Sequence, residues 1–156
     1  MNQETINIRI KKMHPEAKTP RYAKPGDAGL DLTATSKWYD DNGNVCYGLG
    51  WAVEIPEGYL GLLLPRSSNA KKFLAMSNSL GLIDSSFRGE ISAKFKPSVI
   101  YRDAQNIDTP YEPCDYEIGD RVAQLLILPY PKINFIESEE LTETERGAVG
   151  YGSSGA

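Results

Sequence analysis

A chain of 156 residues with a net charge of −4 and a pI near 5.1 has the length for one domain with a real core, and it lacks the basic face that grips duplex nucleic acid. No apolar run reaches membrane-span length, and residues 1–12 lack the charged-then-apolar layout of a signal peptide, so a soluble cytoplasmic protein is expected. Cys46 and Cys114 have no metal spacing and read as free thiols, while His14 is the one histidine; a His-ligated metal cluster is excluded and acid–base work falls mainly to carboxylates.

In chain order, Ile6, Ile8 and Ile10 alternate with polar residues and predict an opening strand. Residues 45–55 alternate loosely, with Trp51, Val53 and Ile55 on one face. Further strands are expected over 59–64, 90–95, 121–128 and 132–136. Pro25-Gly26, Pro56-Glu57-Gly58 and Pro129-Tyr130-Pro131 supply turn chemistry between them. The pattern offers no amphipathic helix of three turns, only room for a short one over 67–72. Many short strands with Gly/Pro punctuation predict an all-β barrel or sandwich, in one domain over residues 1–156. Residues 96–117 interrupt this rhythm. They hold Pro97, Tyr101, Pro110, Tyr111, Pro113 and Tyr116 around a polar centre, which reads as an extended loop or protruding hairpin, a length that goes with function or mobility.

Five stretches carry more polar chemistry than a β-scaffold requires. Asp27-Ala28-Gly29-Leu30-Asp31-Leu32 sets two carboxylates four residues apart, on one face of a possible strand. Pro65-Arg66-Ser67-Ser68 presents a guanidinium and two hydroxyls after an apolar strand. Gly81-Leu82-Ile83-Asp84-Ser85-Ser86-Phe87-Arg88-Gly89-Glu90 places an acid at the end of an apolar strand, then an aromatic ring. Gly119-Asp120-Arg121-Val122-Ala123-Gln124-Leu125 opens a strand with what reads as an architectural Asp120–Arg121 ion pair and puts an amide in the apolar run. The tail over 146–156 holds Arg146, Tyr151, Ser153, Ser154 and four glycines. Arg forks onto phosphate oxygens, an aromatic ring stacks on a base, and glycines let backbone amides turn toward an anion. With few apolar residues the tail gains little from folding alone, and it reads as a flexible glycine-rich flap that orders over a phosphate chain. A Walker lysine and a following helix are both missing, so neither a P-loop nor a dinucleotide fold accounts for the glycines. Singly, each stretch has a plain structural reading: a turn cap at Asp31, a surface cation at Arg66, a backbone partner at Gln124, a disordered tail. Together, Arg66, Gln124, Arg146 and one acid point to nucleotide hydrolysis.

Those five segments, in this order and at this spacing, resemble the five motifs of the trimeric all-β dUTP diphosphatase (dUTPase) family. The resemblance spans residues 27–155 and is most specific in Gly81-Leu82-Ile83-Asp84 with Phe87-Arg88-Gly89-Glu90, and in the tail from Arg146 to Gly155. It implies a β-clip or distorted jelly-roll barrel and Mg²⁺-dependent hydrolysis of dUTP to dUMP and pyrophosphate, by in-line attack of water on the α-phosphorus. That reaction limits uracil in DNA and supplies dUMP for dTMP synthesis. By the same resemblance, Asp84 is the catalytic carboxylate that orients and deprotonates water, and Asp31 is an acid near metal and water. Arg66, Ser67, Ser68 and Gln124 meet the phosphates, Gln124 counting with the two acids in the catalytic set. From the flap, Arg146, Gly152, Ser153 and Ser154 close on the outer phosphates, and Tyr151 stacks over uracil. Asn78 reads uracil in a β-hairpin slot completed by Leu82 and Ile83, and Phe87 packs under deoxyribose where a 2′-hydroxyl would not fit. A site built for uracil leaves polar groups unpaired against cytosine.

The resemblance further implies Mg²⁺ held through substrate phosphates and water with no direct protein ligand, and a homotrimer with shared sites and a flap donated by another chain. No stable nucleic-acid binding and no membrane contact are expected, from the acidic net charge and the lack of an apolar span. The chain departs from the family's usual pattern in having Phe at 87 in place of Tyr, Tyr at 151 in place of Phe, and a longer 96–117 segment. Two other functions fit parts of the pattern: a dCTP deaminase of the same fold, which uses a glutamate to activate water, and a nucleotide-gated regulatory protein that meets a protein partner through 96–117.

Overall fold

The computed structural model describes residues 5–72, 74–97 and 115–149. Ten strands and one 3₁₀ turn build it: β1 (Arg9–Lys12), β2 (Leu30–Thr33), β3 (Ser36–Tyr39), β4 (Val45–Gly48), β5 (Trp51–Glu54), β6 (Tyr59–Pro65), the turn Ser67–Lys71, β7 (Leu74–Met76), β8 (Gly81–Ile83), β9 (Ser92–Pro97) and β10 (Arg121–Pro129). Every ladder is antiparallel. One four-stranded sheet runs β2-β10-β6-β8, the other β3-β4-β9-β7, and β1 pairs with β5 as a separate ribbon. The all-β expectation holds, and the short helix expected over 67–72 is the 3₁₀ turn.

The core takes Leu32, Leu63, Val122 and Leu125 from the first sheet and Val45, Tyr47, Phe95 and Met76 from the second. Three rings anchor it, with centroids 6.0 Å apart for Tyr47–Phe95, 6.0 Å for Tyr47–Tyr116 and 5.8 Å for Phe95–Tyr116. A buried phenol needs a partner. Tyr47 Oη finds two, accepting from the Tyr116 amide at 3.0 Å and donating to the Tyr116 carbonyl at 3.2 Å. Burial pushes the Tyr47 phenol well above its ordinary pKa.

Several expected boundaries move, each for a local reason. The run over 45–55 is two strands, because Gly50 adopts φ +75° between them, where a side chain is strained. Trp51, Val53 and Ile55 are nonetheless all buried. The opening strand begins at Arg9, and β9 begins two residues after the expected 90 and continues through Lys96 and Pro97, which pair with Ala75 and Leu74. Those two residues are therefore strand and not loop, and Tyr116 belongs to the core. The centre of the expected loop, 98–114, and Cys114 with it, lies outside the described residues. Cys46 is a free, buried thiol. The strand expected over 132–136 does not form: residues 131–149 are exposed throughout and hold no strand. No helix among the described residues is long and apolar enough to cross a membrane.

Candidate functional site

Two clefts collect the polar residues singled out by the sequence. The first encloses about 400 Å³ between the β7–β8 connection, β8 itself and β9, and its lining includes Asn78, Leu82, Ile83, Asp84, Phe87 and Glu90. β7 pairs with β9 and β8 with β6, so the connection crosses between sheets; the slot expected to be a β-hairpin is a crossover. Its turn is tight. Leu80 donates its amide to the Asn78 carbonyl at 2.6 Å, and Ser79 holds φ 62°, a conformation that costs a non-glycine residue energy and that gathers at functional sites. Among the described residues β8 pairs along one edge only, which leaves backbone donors and acceptors on the other edge beside Asn78.

Asp84 follows the last residue of β8 and is exposed. Its carbonyl accepts the Phe87 amide at 3.1 Å, closing a turn that folds the Phe87 ring back over Gly89. A Cβ on Gly89 would come within 2.7 Å of Phe87 Cζ, so only glycine lets the ring lie there. Among the described residues no side chain pairs with the Asp84 carboxylate. Glu90 on the same wall is engaged, its Oε1 accepting the Gly50 amide at 2.7 Å.

The second cleft, about 420 Å³, is lined by Asp27, Gly29, Asp31, Arg66, Ser67 and Gln124 among others. Asp31 lies at its centre on β2, directly opposite Gln124 of β10. Arg66 Nε donates to Asp31 Oδ1 at 2.7 Å, and Arg121 Nη1 donates to Oδ2 at 2.7 Å. Arg66 Nη1 also donates to Ser68 Oγ at 3.1 Å. The Gln124 amide donates to the Pro65 carbonyl at 3.2 Å, and a Cβ on Gly29 would come 2.5 Å from Gln124 Oε1. With Asp31 holding Arg66 by its Nε, the remaining Arg66 N–H groups, the Ser67 hydroxyl and the Gln124 side chain form a basic polar cup suited to phosphate.

Two pairings differ from those expected. Asp27 and Asp31 do not share a strand face, since Asp27 closes a turn by accepting the Lys24 amide at 2.9 Å and only Asp31 is in β2. Asp120 and Arg121 do not pair with one another: Asp120 accepts the Glu117 amide at 3.0 Å while Arg121 crosses to Asp31. Arg121 is thus the site residue that sequence reading missed. Adjacent opposite charges mislead here because Asp120 still belongs to the turn before β10, where its carboxylate closes back on the Glu117 amide.

The clefts lie apart within one chain. Asp31 is level with Leu64 through Gln124, whereas Ile83 is level with Gly61. Three inter-strand spacings and the offset along β6 put Asp31 and Asp84 roughly 20 Å from each other. Arg146 joins neither; its Nε donates to the Val149 carbonyl at 2.9 Å within the exposed C-terminal arm. Tyr151, Gly152, Ser153 and Ser154 lie outside the described residues.

Known proteins place the chain. A family model described as dUTPase matches residues 15–155. The deoxyuridine 5′-triphosphate nucleotidohydrolase of Nocardia farcinica is 41% identical over 150 residues, covering 95% of this chain and 85% of that protein. The structure of the Staphylococcus bacteriophage 80alpha dUTPase with dUPNHPP superposes with a TM-score of 0.78 at 28% identity, covering 97% of this chain and 100% of the phage chain. A mutant dUTPase from phage phi11 of S. aureus, whose structure is described as revealing the coordination of a structural Mg(II) ion, superposes at a TM-score of 0.68 with 26% identity, over 86% of this chain and 98% of that one. The family model spans residues 15–155, and the curated relatives are about 40% identical over nearly the whole chain: this chain belongs to the dUTPase family.

Proposed function

We propose that the chain is a dUTP diphosphatase, hydrolysing dUTP to dUMP and pyrophosphate in the cytoplasm, as one domain with its C-terminal flap beginning at Arg146. The observation that carries this reading is the exposed Asp84 carboxylate, unpaired among the described residues, at a cleft flanked by an amide (Asn78), a free strand edge (β8) and an aromatic ring (Phe87). The naming of its relatives as deoxyuridine 5′-triphosphate nucleotidohydrolases supports the substrate. In this reading uracil enters between Asn78 and the backbone of Leu82 and Ile83, and the sugar packs on Phe87. Asp84 accepts a proton from the water that attacks the α-phosphorus in line. Arg66, Ser67, Ser68 and Gln124 hold the phosphates, and Arg146, Tyr151, Gly152, Ser153 and Ser154 close over them. Phosphoryl transfer depends on positioning and charge neutralisation, which these groups supply.

Among the described residues no three His, Cys, Asp or Glu side chains gather. Both Asp31 oxygens are taken by arginines, and in this reading Mg²⁺ is held through the triphosphate and water with no direct protein ligand. When bound, the ion would neutralise charge on the phosphates.

The base-reading and phosphate-holding clefts lie roughly 20 Å apart on one chain, and we place each site between chains of a homotrimer. Two surfaces support this assembly. The arm after Tyr130 exposes Ile133, Phe135 and Ile136, and an apolar groove of about 430 Å³ opens beside β1, lined by Ile6, Ile8, Ile10, Tyr22, Leu30 and Ile127 among others. The deaminase alternative is disfavoured by the naming of the relatives as deoxyuridine 5′-triphosphate nucleotidohydrolases. The test is Asp84→Asn. It should bind dUTP as the wild type does while turnover falls by about 10²- to 10⁴-fold, the worth of a positioned base; turnover near the wild-type rate would remove Asp84 from that role.

A further inference from the structure

We infer that Arg121 is a positioning residue for the hydrolysis, and that a β-bulge in β10 exists to aim it. The inference rests on the dUTP reading and goes beyond it, because Arg121 has no place among the phosphate contacts.

The register of β10 against β2 is irregular at this point. Gln124 lies opposite Asp31 and Ala123 opposite Leu32, but Arg121 lies opposite Thr33. Two steps along β10 answer one step along β2, the signature of a bulge. The consequence shows in burial: Val122 and Ala123 are consecutive and both fully buried, which a regular alternating strand does not allow when one face is wet. In an unbroken strand Arg121, three residues from Gln124, would point to the face opposite Gln124 and Asp31. The extra residue reverses its facing, so that Arg121 shares a face with Thr33, and therefore with Asp31 two residues along β2. Its Nη1 reaches Asp31 Oδ2 at 2.7 Å.

The geometry then explains what the contact does. Asp31 is the hub, 11% exposed at its side chain, with one oxygen on Arg66 and the other on Arg121. A carboxylate bound at only one oxygen can swing about its Cβ–Cγ bond, and the Arg66 guanidinium would swing with it. Capping Oδ2 from β10 fixes the carboxylate plane and hence the plane of Arg66, leaving Nη2 and the Nη1 hydrogen not spent on Ser68 Oγ for the phosphate cup. Arg66 is held by Nε, the one guanidinium nitrogen that can be given up without losing the two-pronged end. Arg121 itself is 52% exposed, so its pair adds little to stability, and its work is orientation.

The experiment compares Arg121→Ala, Arg121→Lys and Arg66→Ala, singly and as the Arg121→Ala/Arg66→Ala pair, in the full-length protein. Readouts are kcat and KM for dUTP and the melting temperature. Arg121→Ala should lower kcat/KM roughly 10- to 100-fold, as misplaced contacts do, with the melting temperature unmoved. Lys, which supplies one donor, should recover part of the loss. In the Arg66→Ala background, Arg121→Ala should add no further loss, since it acts through Arg66. Activity of Arg121→Ala within about twofold of wild type, or losses that multiply in the pair, would overturn the inference. A wild-type chain inert on dUTP would instead sink the underlying reading, and the inference with it.

Discussion

The Asp40 carboxylate accepts from the Asn44 side chain at 2.9 and 3.0 Å, from the Asn44 amide at 3.0 Å and from Lys94 Nζ at 3.0 Å. These donors hold its pKa well below the ordinary value of 3.8 and raise that of Lys94 in return. A carboxylate whose pKa is depressed on folding stabilises the native state fully above its unfolded value and loses that contribution as pH falls toward the folded one. Asp40→Asn should therefore unfold at lower urea concentration than wild type at pH 7, with the gap closing below about pH 4; a gap constant from neutral to acid pH would contradict the assignment. At this scale the sequence was readable where chemistry is local. Asp31, Arg66 and Gln124, picked out as residue types, do meet around one cleft. Arg121 was not readable, because its partner is 90 positions away and its facing depends on a bulge that leaves no mark in residue type.

Strands were legible where the apolar run is long, as in β6 and β10, and blurred where a strand is three or four residues long, as in β3, β7 and β8. Positive-φ glycines account for one of the breaks. Gly50 separates β4 from β5, and a Cβ there would come 2.5 Å from Ala17 Cβ. Strain in φ and that overlap act together, so Gly50→Ala should cost about 2 kcal/mol, read as a shift in chemical-denaturation midpoint; no shift would mean that the β4–β5 corner relaxes freely. The expected strand over 132–136 fails for a different reason. Its alternation is sound, but a strand exists only with a partner, and among the described residues of one chain none faces it.

At the scale of the whole molecule, the C-terminal arm carries exposed apolar side chains with no partner strand among the described residues of one chain. Phe135 is 93% exposed, Ile136 84% and Leu141 88%, and contiguous apolar exposure of this kind marks an interaction surface. A charge at its centre should prevent assembly. On the proposed trimer, Phe135→Asp is expected to run as a folded 17.3 kDa monomer by light scattering, with dUTP turnover largely lost because the two clefts would no longer meet. A trimer of normal activity would show that the arm is not a contact. The homotrimer is implied by the family resemblance alone, since no residue pattern announces which copy a cleft will meet.

The central claim is that this β-fold hydrolyses dUTP and selects it by base and sugar. The most direct measurement is pyrophosphate release in the presence of Mg²⁺ from dUTP, dCTP, dTTP and UTP, with ammonia followed in parallel. Release is expected from dUTP alone, with UTP rejected at Phe87 and the other bases at Asn78 and the free edge of β8, and no ammonia. Ammonia from dCTP, or equal hydrolysis of all four nucleotides, would contradict it.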